Sequence, residues 1–103
     1  MKNIDQIILE SELPIILKFK KEKCAPCKAM EPIFKNLITE LQDKIQIIEI
    51  DGEIESDLSG KLNITAFPSI LFFNLGVELH RIVGTAPKSK IIKTLKDLNL
   101  HEE

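Results

Sequence analysis

The chain has 103 residues, 44% of them hydrophobic, which is enough for one compact domain and too few for two. Its 14 Lys and Arg nearly balance 16 Asp and Glu, for a formal net charge of -2, so composition gives no electrostatic reason to expect a nucleic acid or a membrane surface as a partner. We therefore expect a single domain over residues 1–103.

The amino-terminal segment has one apolar run, residues 7–9, far too short for a signal-peptide core or a transmembrane helix. We therefore predict a cytoplasmic protein. The thiol pool of the cytoplasm is reducing, so the expected roles of the two cysteines are catalysis, metal binding or burial rather than permanent crosslinking.

The first predicted elements are a helix and a strand. The helix covers residues 5–13, with Asn3 or Asp5 as its cap and Pro14 stopping it. Residues 15–20 form a nearly continuous apolar run, which is typical of a strand covered on both faces.

The longest predicted helix runs from Ala25 to about Gln42. Its apolar residues recur at helical spacing and predict one buried stripe: Met30, Ile33, Phe34, Leu37, Ile38 and Leu41. Pro32 lies inside this helix and predicts a kink, because it removes a backbone donor and crowds the preceding turn.

A second β-branched run, residues 45–50, predicts a strand that ends at Asp51 and Gly52. A short helix is predicted over residues 54–62.

Residues 69–73 and 77–83 predict an antiparallel hairpin around a short turn that contains a glycine. After Pro87, a closing helix is predicted from its inner stripe of Ile91, Ile92, Leu95 and Leu98. Two parallel strands joined by a crossover helix, followed by a hairpin, give an α/β fold with a mixed sheet and helices on both faces.

The cysteines form a C-x-x-C motif, Cys24-Ala25-Pro26-Cys27, where the first strand ends and the long helix begins. The helix N-terminus stabilises a thiolate at Cys24, which is the predicted nucleophile. Cys27 lies one turn later and can close a disulfide as the resolving thiol, while Pro26 restricts the loop.

Two other interpretations of the cysteines stay open. They can be inert thiols, since free Cys packs as a small hydrophobe. A structural zinc site needs four ligands, and His80 and His101 lack paired spacing, so we predict no metal unless two copies share one.

At this point the sequence resembles the thioredoxin family, from the first strand onward. The family's redox loop corresponds to residues 24–28 and its helix-kinking proline to Pro32. Its strand-ending aspartate, its cis-proline and its late glycine correspond to Asp51, Pro68 and Gly84.

The resemblance implies a thioredoxin fold with a central sheet of four to five strands and a short or absent amino-terminal strand. It implies that Cys24 and Cys27 form a redox-active disulfide, with no other cofactor, and that clients dock on the residues beside them: Ala25, Pro26, Phe67, Pro68 and Gly84. A fixed cis bond at Pro68 would expose a short extended edge with which a client could pair.

The family's tryptophan before the first cysteine is replaced by Lys23. We predict that Lys23 and Lys28 help lower the pKa of Cys24 by attraction between ammonium and thiolate. Alternatively, the lysines around the motif form only a solvated charged rim with no role in tuning, and we favour this interpretation for Lys20 and Lys21.

The family's buried aspartate on the first central strand is replaced by Lys18. A lysine in a buried run must either reach an edge or pair with a carboxylate. Our hypothesis is a Lys18–Glu49 pair that replaces the family's proton relay under Cys27.

The predicted function is a protein-disulfide reductase and electron carrier in cell redox homeostasis, acting on client proteins as a monomer. A separate disulfide reductase would recharge it, since the chain has no G-x-G-x-x-G motif for a flavin or nicotinamide. The alternatives are a disulfide oxidase or isomerase and a thioredoxin-fold binding module without turnover.

Overall fold

The computed structural model describes residues 3–101. It contains a four-stranded sheet with helices packed against it. The elements follow in the order α1 (Ile4–Glu10), β1 (Ile15–Lys20), α2 (Ala25–Leu41), β2 (Gln46–Asp51), α3 (Ser56–Lys61), β3 (Ser69–Asn74), β4 (Val77–Val83) and α4 (Lys88–Asp97).

The sheet has the strand order β2-β1-β3-β4. β1 pairs in parallel with β2 and antiparallel with β3, and β3 continues into β4 as a hairpin. The predicted mixed sheet is confirmed. Within residues 3–101 no strand precedes β1, in agreement with a short or absent amino-terminal strand; Met1 and Lys2 lie outside the described residues.

Alternate residues of β1 supply two separate cores because side chains of a strand point to opposite faces. On one face, Ile16 packs with Phe34 of α2 and Leu95 of α4. On the other, Leu17 and Phe19 pack with residues of α1 and α3. Helices therefore cover both faces, as predicted, and β1 is buried from Ile15 to Phe19.

The first helix ends earlier than the sequence predicts, at Glu10 rather than at residue 13. It begins at Ile4, one residue earlier than predicted, and Asn3, one of the two predicted caps, accepts the Gln6 N–H. The early end has a local cause: the Ser11 hydroxyl donates to the Leu13 carbonyl and also accepts the Leu13 N–H, and these bonds compete with another helical turn.

The buried stripe of α2 is narrower than predicted. Met30, Phe34, Leu37 and Leu41 are buried, but Ile38 is 48% exposed. Pro32 lies inside the helix, and the kink there stays a prediction. The third helix begins at Ser56, two residues later than predicted, because the Asp51 carboxylate accepts the N–H groups of Glu53 and Ile54 and holds them in a turn.

The hairpin is confirmed, with a two-residue loop at Leu75 and Gly76. Pro87 occupies the N-cap position of α4, directly before its first turn. No helical hydrogen bond needs a backbone N–H there, so a proline is tolerated. Ile91 and Leu95 are buried as predicted, while Ile92 and Leu98 are partly buried at the margin of that core.

Candidate redox site

Cys24 and Cys27 lie at the amino-terminal end of α2 and are joined in a disulfide. Cys24 is the N-cap residue of the helix, and its Sγ accepts the backbone N–H of Cys27 at 3.2 Å. Both residues are buried, with 5% and 4% of their surface exposed. Little of either cysteine is therefore open to a reaction partner.

The two sulfurs have different electrostatic surroundings. Cys24 Sγ occupies the position that an N-cap oxygen takes in other helices, where unpaired N–H groups and the positive end of the helix dipole favour an anion. Cys27 belongs to the first turn of the helix, and its own N–H donates to Cys24. The N-terminus of α2 therefore faces Cys24 Sγ directly.

A loop with a cis Phe67–Pro68 bond lies against the sulfurs. The Phe67 carbonyl oxygen is 3.9 Å from Cys24 Sγ. Neighbouring carbonyls hold the loop in place: Ser69 Oγ donates to the Ala66 oxygen at 2.7 Å, and Gly84 N–H donates to the Pro68 oxygen at 2.8 Å. Gly84 adopts a φ of 91°, which favours glycine. Pro68 and Gly84 thus belong to one bonded unit beside Cys24.

The ring of Phe67 has a support that the sequence analysis missed. A Cβ at Gly52 would overlap the edge of this ring, so a glycine is required for the approach. Lys21 directly follows β1, and its Nζ lies 5.5 Å from the centre of the same ring. The signal in the sequence is the Asp51-Gly52 pair at the end of β2, which by itself indicates only that the strand ends there.

Ala25 and Pro26 are exposed on the helix end beside the sulfurs. Phe67 and Gly84 are partly exposed, while Pro68 is buried. Of the docking set that the resemblance implies, four residues are therefore at least partly open to solvent and only Pro68 is buried.

Lys18 and Glu49 lie side by side in the β1–β2 register. Lys18 is 1% exposed, and its Nζ is 3.3 Å from a carboxylate oxygen of Glu49, which is 45% exposed. The same Nζ lies 4.8 Å from the centre of the Phe34 ring, on the face of the sheet that α2 covers. Lys18 is thus a buried, paired cation and does not reach solvent itself.

Four lysines surround the Cys27 side of the site and, with Glu22 and Glu31, line a cavity of about 300 Å³: Lys20, Lys21, Lys23 and Lys28. We call these four residues the lysine rim. Lys23 and Lys28 are exposed and make no ion pair within residues 3–101. Lys23 has a φ of 52°, an uncommon conformation for a residue with a Cβ.

Residues 3–101 contain no group of three His, Cys, Asp or Glu side chains that could hold a metal ion. His80 lies instead beside the Phe72 ring on the β3–β4 hairpin. In the same part of the chain, no helix is long and apolar enough to span a bilayer.

Comparison with known proteins decides the family. The family model for thioredoxin matches residues 1–97. The chain belongs to the thioredoxin family. It is 34% identical over 90 residues to thioredoxin C-2 of Corynebacterium nephridii, an alignment that covers 87% of this chain and 83% of the relative.

Thioredoxin Y, chloroplastic, of Oryza sativa subsp. japonica is 31% identical over 94 residues, or 91% of this chain. The chain spans only 56% of that relative's length. Among solved structures, thioredoxin NaTrxh from Nicotiana alata superposes with a TM-score of 0.83 at 28% identity, covering 95% of this chain and 82% of the other.

Family membership and the Cys24–Cys27 disulfide together support dithiol–disulfide exchange as the chemistry of the site. The redox group is the disulfide itself, which is part of the protein, so the reaction needs no bound cofactor. Thioredoxins act on disulfide substrates and are in turn reduced by a reductase.

Proposed function

We propose that this protein reduces disulfides of client proteins, with Cys24 as the nucleophile and Cys27 as the resolving thiol. The observation that supports this assignment is the hydrogen bond from the Cys27 N–H to Cys24 Sγ at the N-terminus of α2. It distinguishes the two sulfurs, because only Cys24 has the position in which a helix stabilises an anion.

The reaction has two exchanges. The Cys24 thiolate attacks one sulfur of the client disulfide, forms a mixed disulfide and releases the other client sulfur as a thiolate. The Cys27 thiolate then attacks Cys24 Sγ, closes the Cys24–Cys27 bond and releases the second client thiolate. Two electrons pass to the client, whose thiolates take up the two protons given up by Cys24 and Cys27.

Docking in this proposal uses Ala25, Pro26, Phe67 and Gly84 together with the buried Pro68, which fixes the loop beside Cys24. The Phe67 carbonyl points toward Cys24 Sγ, whereas the carbonyls of Ala66 and Pro68 already accept bonds within the protein. A client strand beside the loop would therefore pair chiefly with Phe67 and bring its own disulfide against Cys24.

Lys23 and Lys28 tune the reactivity of Cys24 in this proposal, since both line the cavity beside Cys27 and neither has an ion-pair partner among residues 3–101. The Lys18–Glu49 pair acts as the proton path of Cys27. Lys18 packs on Phe34, which lies on the same buried side of α2 as Cys27, and the half-exposed Glu49 connects the buried ammonium to solvent. Glu49→Gln is expected to slow the second exchange and to alter its pH profile.

The working unit that we propose is a single domain over residues 1–103, active as a monomer on proteins. Because it must be kept in the dithiol form, we place its action in a reducing compartment, the cytoplasm, with a separate disulfide reductase as its electron donor. Nucleic acid and membrane are not among the proposed partners, as charge is nearly balanced over the chain.

An insulin-reduction assay with dithiothreitol tests the function. The wild-type protein is expected to accelerate the reaction, and Cys24→Ser to abolish the acceleration. Cys27→Ser is expected to accumulate a mixed disulfide with the client, because the first exchange still occurs. A wild-type protein without acceleration would favour the binding module, and a mixed disulfide trapped by Cys24→Ser instead would reverse the roles of the two cysteines.

A further inference from the structure

Charge is unevenly distributed over the molecule. The residues that line the cavity beside Cys27 include the four lysines of the lysine rim and two glutamates, a local charge of +2 in a chain whose formal net charge is -2. The surface beside the sulfurs is therefore positive, although the rest of the protein is acidic. Such a local field attracts anionic partners to one place.

The members of the rim differ in how far they are neutralised. Lys20 Nζ lies 3.6 Å from Glu49, and Lys21 lies over the Phe67 ring. Lys23 and Lys28 are exposed, and Glu22 and Glu31 make no ion pair with them within residues 3–101. Lys23 and Lys28 thus flank the disulfide in sequence and keep donors free for a partner.

We infer that the lysine rim selects client segments that carry Asp or Glu next to the disulfide to be reduced. This inference rests on the proposed function, because the client disulfide must reach Cys24 for its flanking residues to meet the rim. Carboxylates there would pair with Lys23 and Lys28 in the encounter and in the mixed disulfide, whereas flanking lysines would be repelled.

Recognition of client charge by the lysine rim and tuning of the Cys24 thiolate affect the rates of different clients in different ways. A cation that only favours the Cys24 thiolate changes the rate of exchange with every client by the same factor. A cation that pairs with client carboxylates changes the ratio between acidic and basic clients. That ratio is the measurement that separates the two roles.

The test uses three peptide disulfides of equal length, flanked by Glu, Gln or Lys, and measures kcat/KM for each at low and at high ionic strength. At low ionic strength we expect the acidic peptide to exceed the basic one about fivefold, as two exposed ion pairs allow. The ratio should fall toward one at high ionic strength, where salt screens exposed charges.

The matched variants are a Lys23→Gln, Lys28→Gln double variant and a Lys35→Gln, Lys90→Gln control with the same change in charge at exposed positions outside the cavity. The rim variant is expected to lose the preference, and the control to keep it. Equal kcat/KM for all three peptides in the wild-type protein would overturn the inference, as would a rim variant that slows all three by one factor. If no peptide of any charge is reduced, the proposed function itself fails.

Discussion

The ammonium of Lys18 lies 3.3 Å from the carboxylate of Glu49, directly across the parallel β1–β2 pair. The two partners differ in solvation, since Lys18 is 1% exposed and Glu49 45%. Glu49 also has a second cation, Lys20, at 3.6 Å. Removal of Glu49 should therefore cost more stability than removal of Lys18. Without Glu49, Lys18 would be an unpaired charge inside the protein, whereas Glu49 without Lys18 would keep Lys20 and solvent.

Glu49→Gln is expected to lower the free energy of unfolding by about 1–2 kcal/mol. The loss of one partner from a buried ion pair costs about 3–5 kcal/mol, and the half-exposed carboxylate reduces that amount here. Urea denaturation at neutral pH measures the change.

Lys18→Met is the control for that prediction. A thioether chain of similar length fills the space beside Phe34 without charge, and Glu49 keeps Lys20 and solvent, so we expect a change of less than about 1 kcal/mol. A Lys18→Met variant less stable than Glu49→Gln would show that the ion pair, rather than desolvation of the lysine, determines stability at this position.

Gly52→Ala is expected to displace the Phe67 ring, because the added Cβ would overlap the ring edge and also lie 3.1 Å from Ser59 Oγ. Overpacking of this kind costs about 1–3 kcal/mol. Since the Phe67 carbonyl lies next to Cys24 Sγ, the rate of insulin reduction should fall as well. Both the unfolding curve and the reduction rate are to be measured.

Gly60→Ala provides the comparison, as this glycine lies inside α3 with nothing within 4 Å of an added Cβ. The substitution should raise stability by up to about 1 kcal/mol and leave the reduction rate unchanged. If Gly52→Ala behaves in the same way, the close approach of Phe67 to Gly52 has no part in positioning the loop.

Lys23 can be tested for its effect on the Cys24 thiolate by ultraviolet absorbance during a pH titration of the reduced protein. Lys23→Gln removes a cation and should move the thiolate midpoint upward, whereas Lys23→Arg should leave it in place. Lys23→Gly removes the charge but suits the φ of 52° at this position, so it separates charge from backbone geometry. An unchanged midpoint in both neutral variants would remove Lys23 from the tuning of Cys24.

Local patterns in the sequence predicted the elements that position the site. The apolar run at residues 15–20 predicted β1 without error, and the C-x-x-C motif correctly placed the beginning of α2. The cis bond before Pro68 was expected from the family resemblance and is present. In each case a short stretch of chain, or its match to a known pattern, contains the determining residues.

Contacts between residues far apart in the sequence could not be predicted from local patterns. The carbonyls of Leu62 and Asn63, after α3, accept from the Arg81 guanidinium on β4, at 2.9 and 3.4 Å. The approach of Phe67 to Gly52 likewise joins two loops. Ile38 fits the helical period of α2 and is nevertheless half-exposed. Periodicity identifies the buried side of a helix but does not show how wide a strip of that side the rest of the protein covers.

A pH-dependent contribution to stability is expected from Glu40, on α2, which accepts a hydrogen bond from Lys88 of α4 at 2.9 Å. This bond is the largest cause of a pKa of Glu40 below its ordinary value of 4.5; burial opposes it as the second-largest effect, and the charges of Lys88 and His101 lower the pKa further. A carboxyl whose pKa is lower in the folded state stabilises that state above its unfolded pKa. The contribution is therefore present at neutral pH and is lost as the pH falls below 4.5 through the folded pKa.

Lys88→Met should accordingly reduce stability at neutral pH, and its difference from the wild-type protein should shrink as the pH is lowered below 4.5. Urea denaturation across that pH range measures the difference. Lys90→Met, at an exposed position on the same helix, is the control and should show little change at any pH. A constant difference between Lys88→Met and wild type would mean that Lys88 stabilises the α2–α4 contact through Asn36, to which it donates at 2.6 Å, and not through the ionised Glu40.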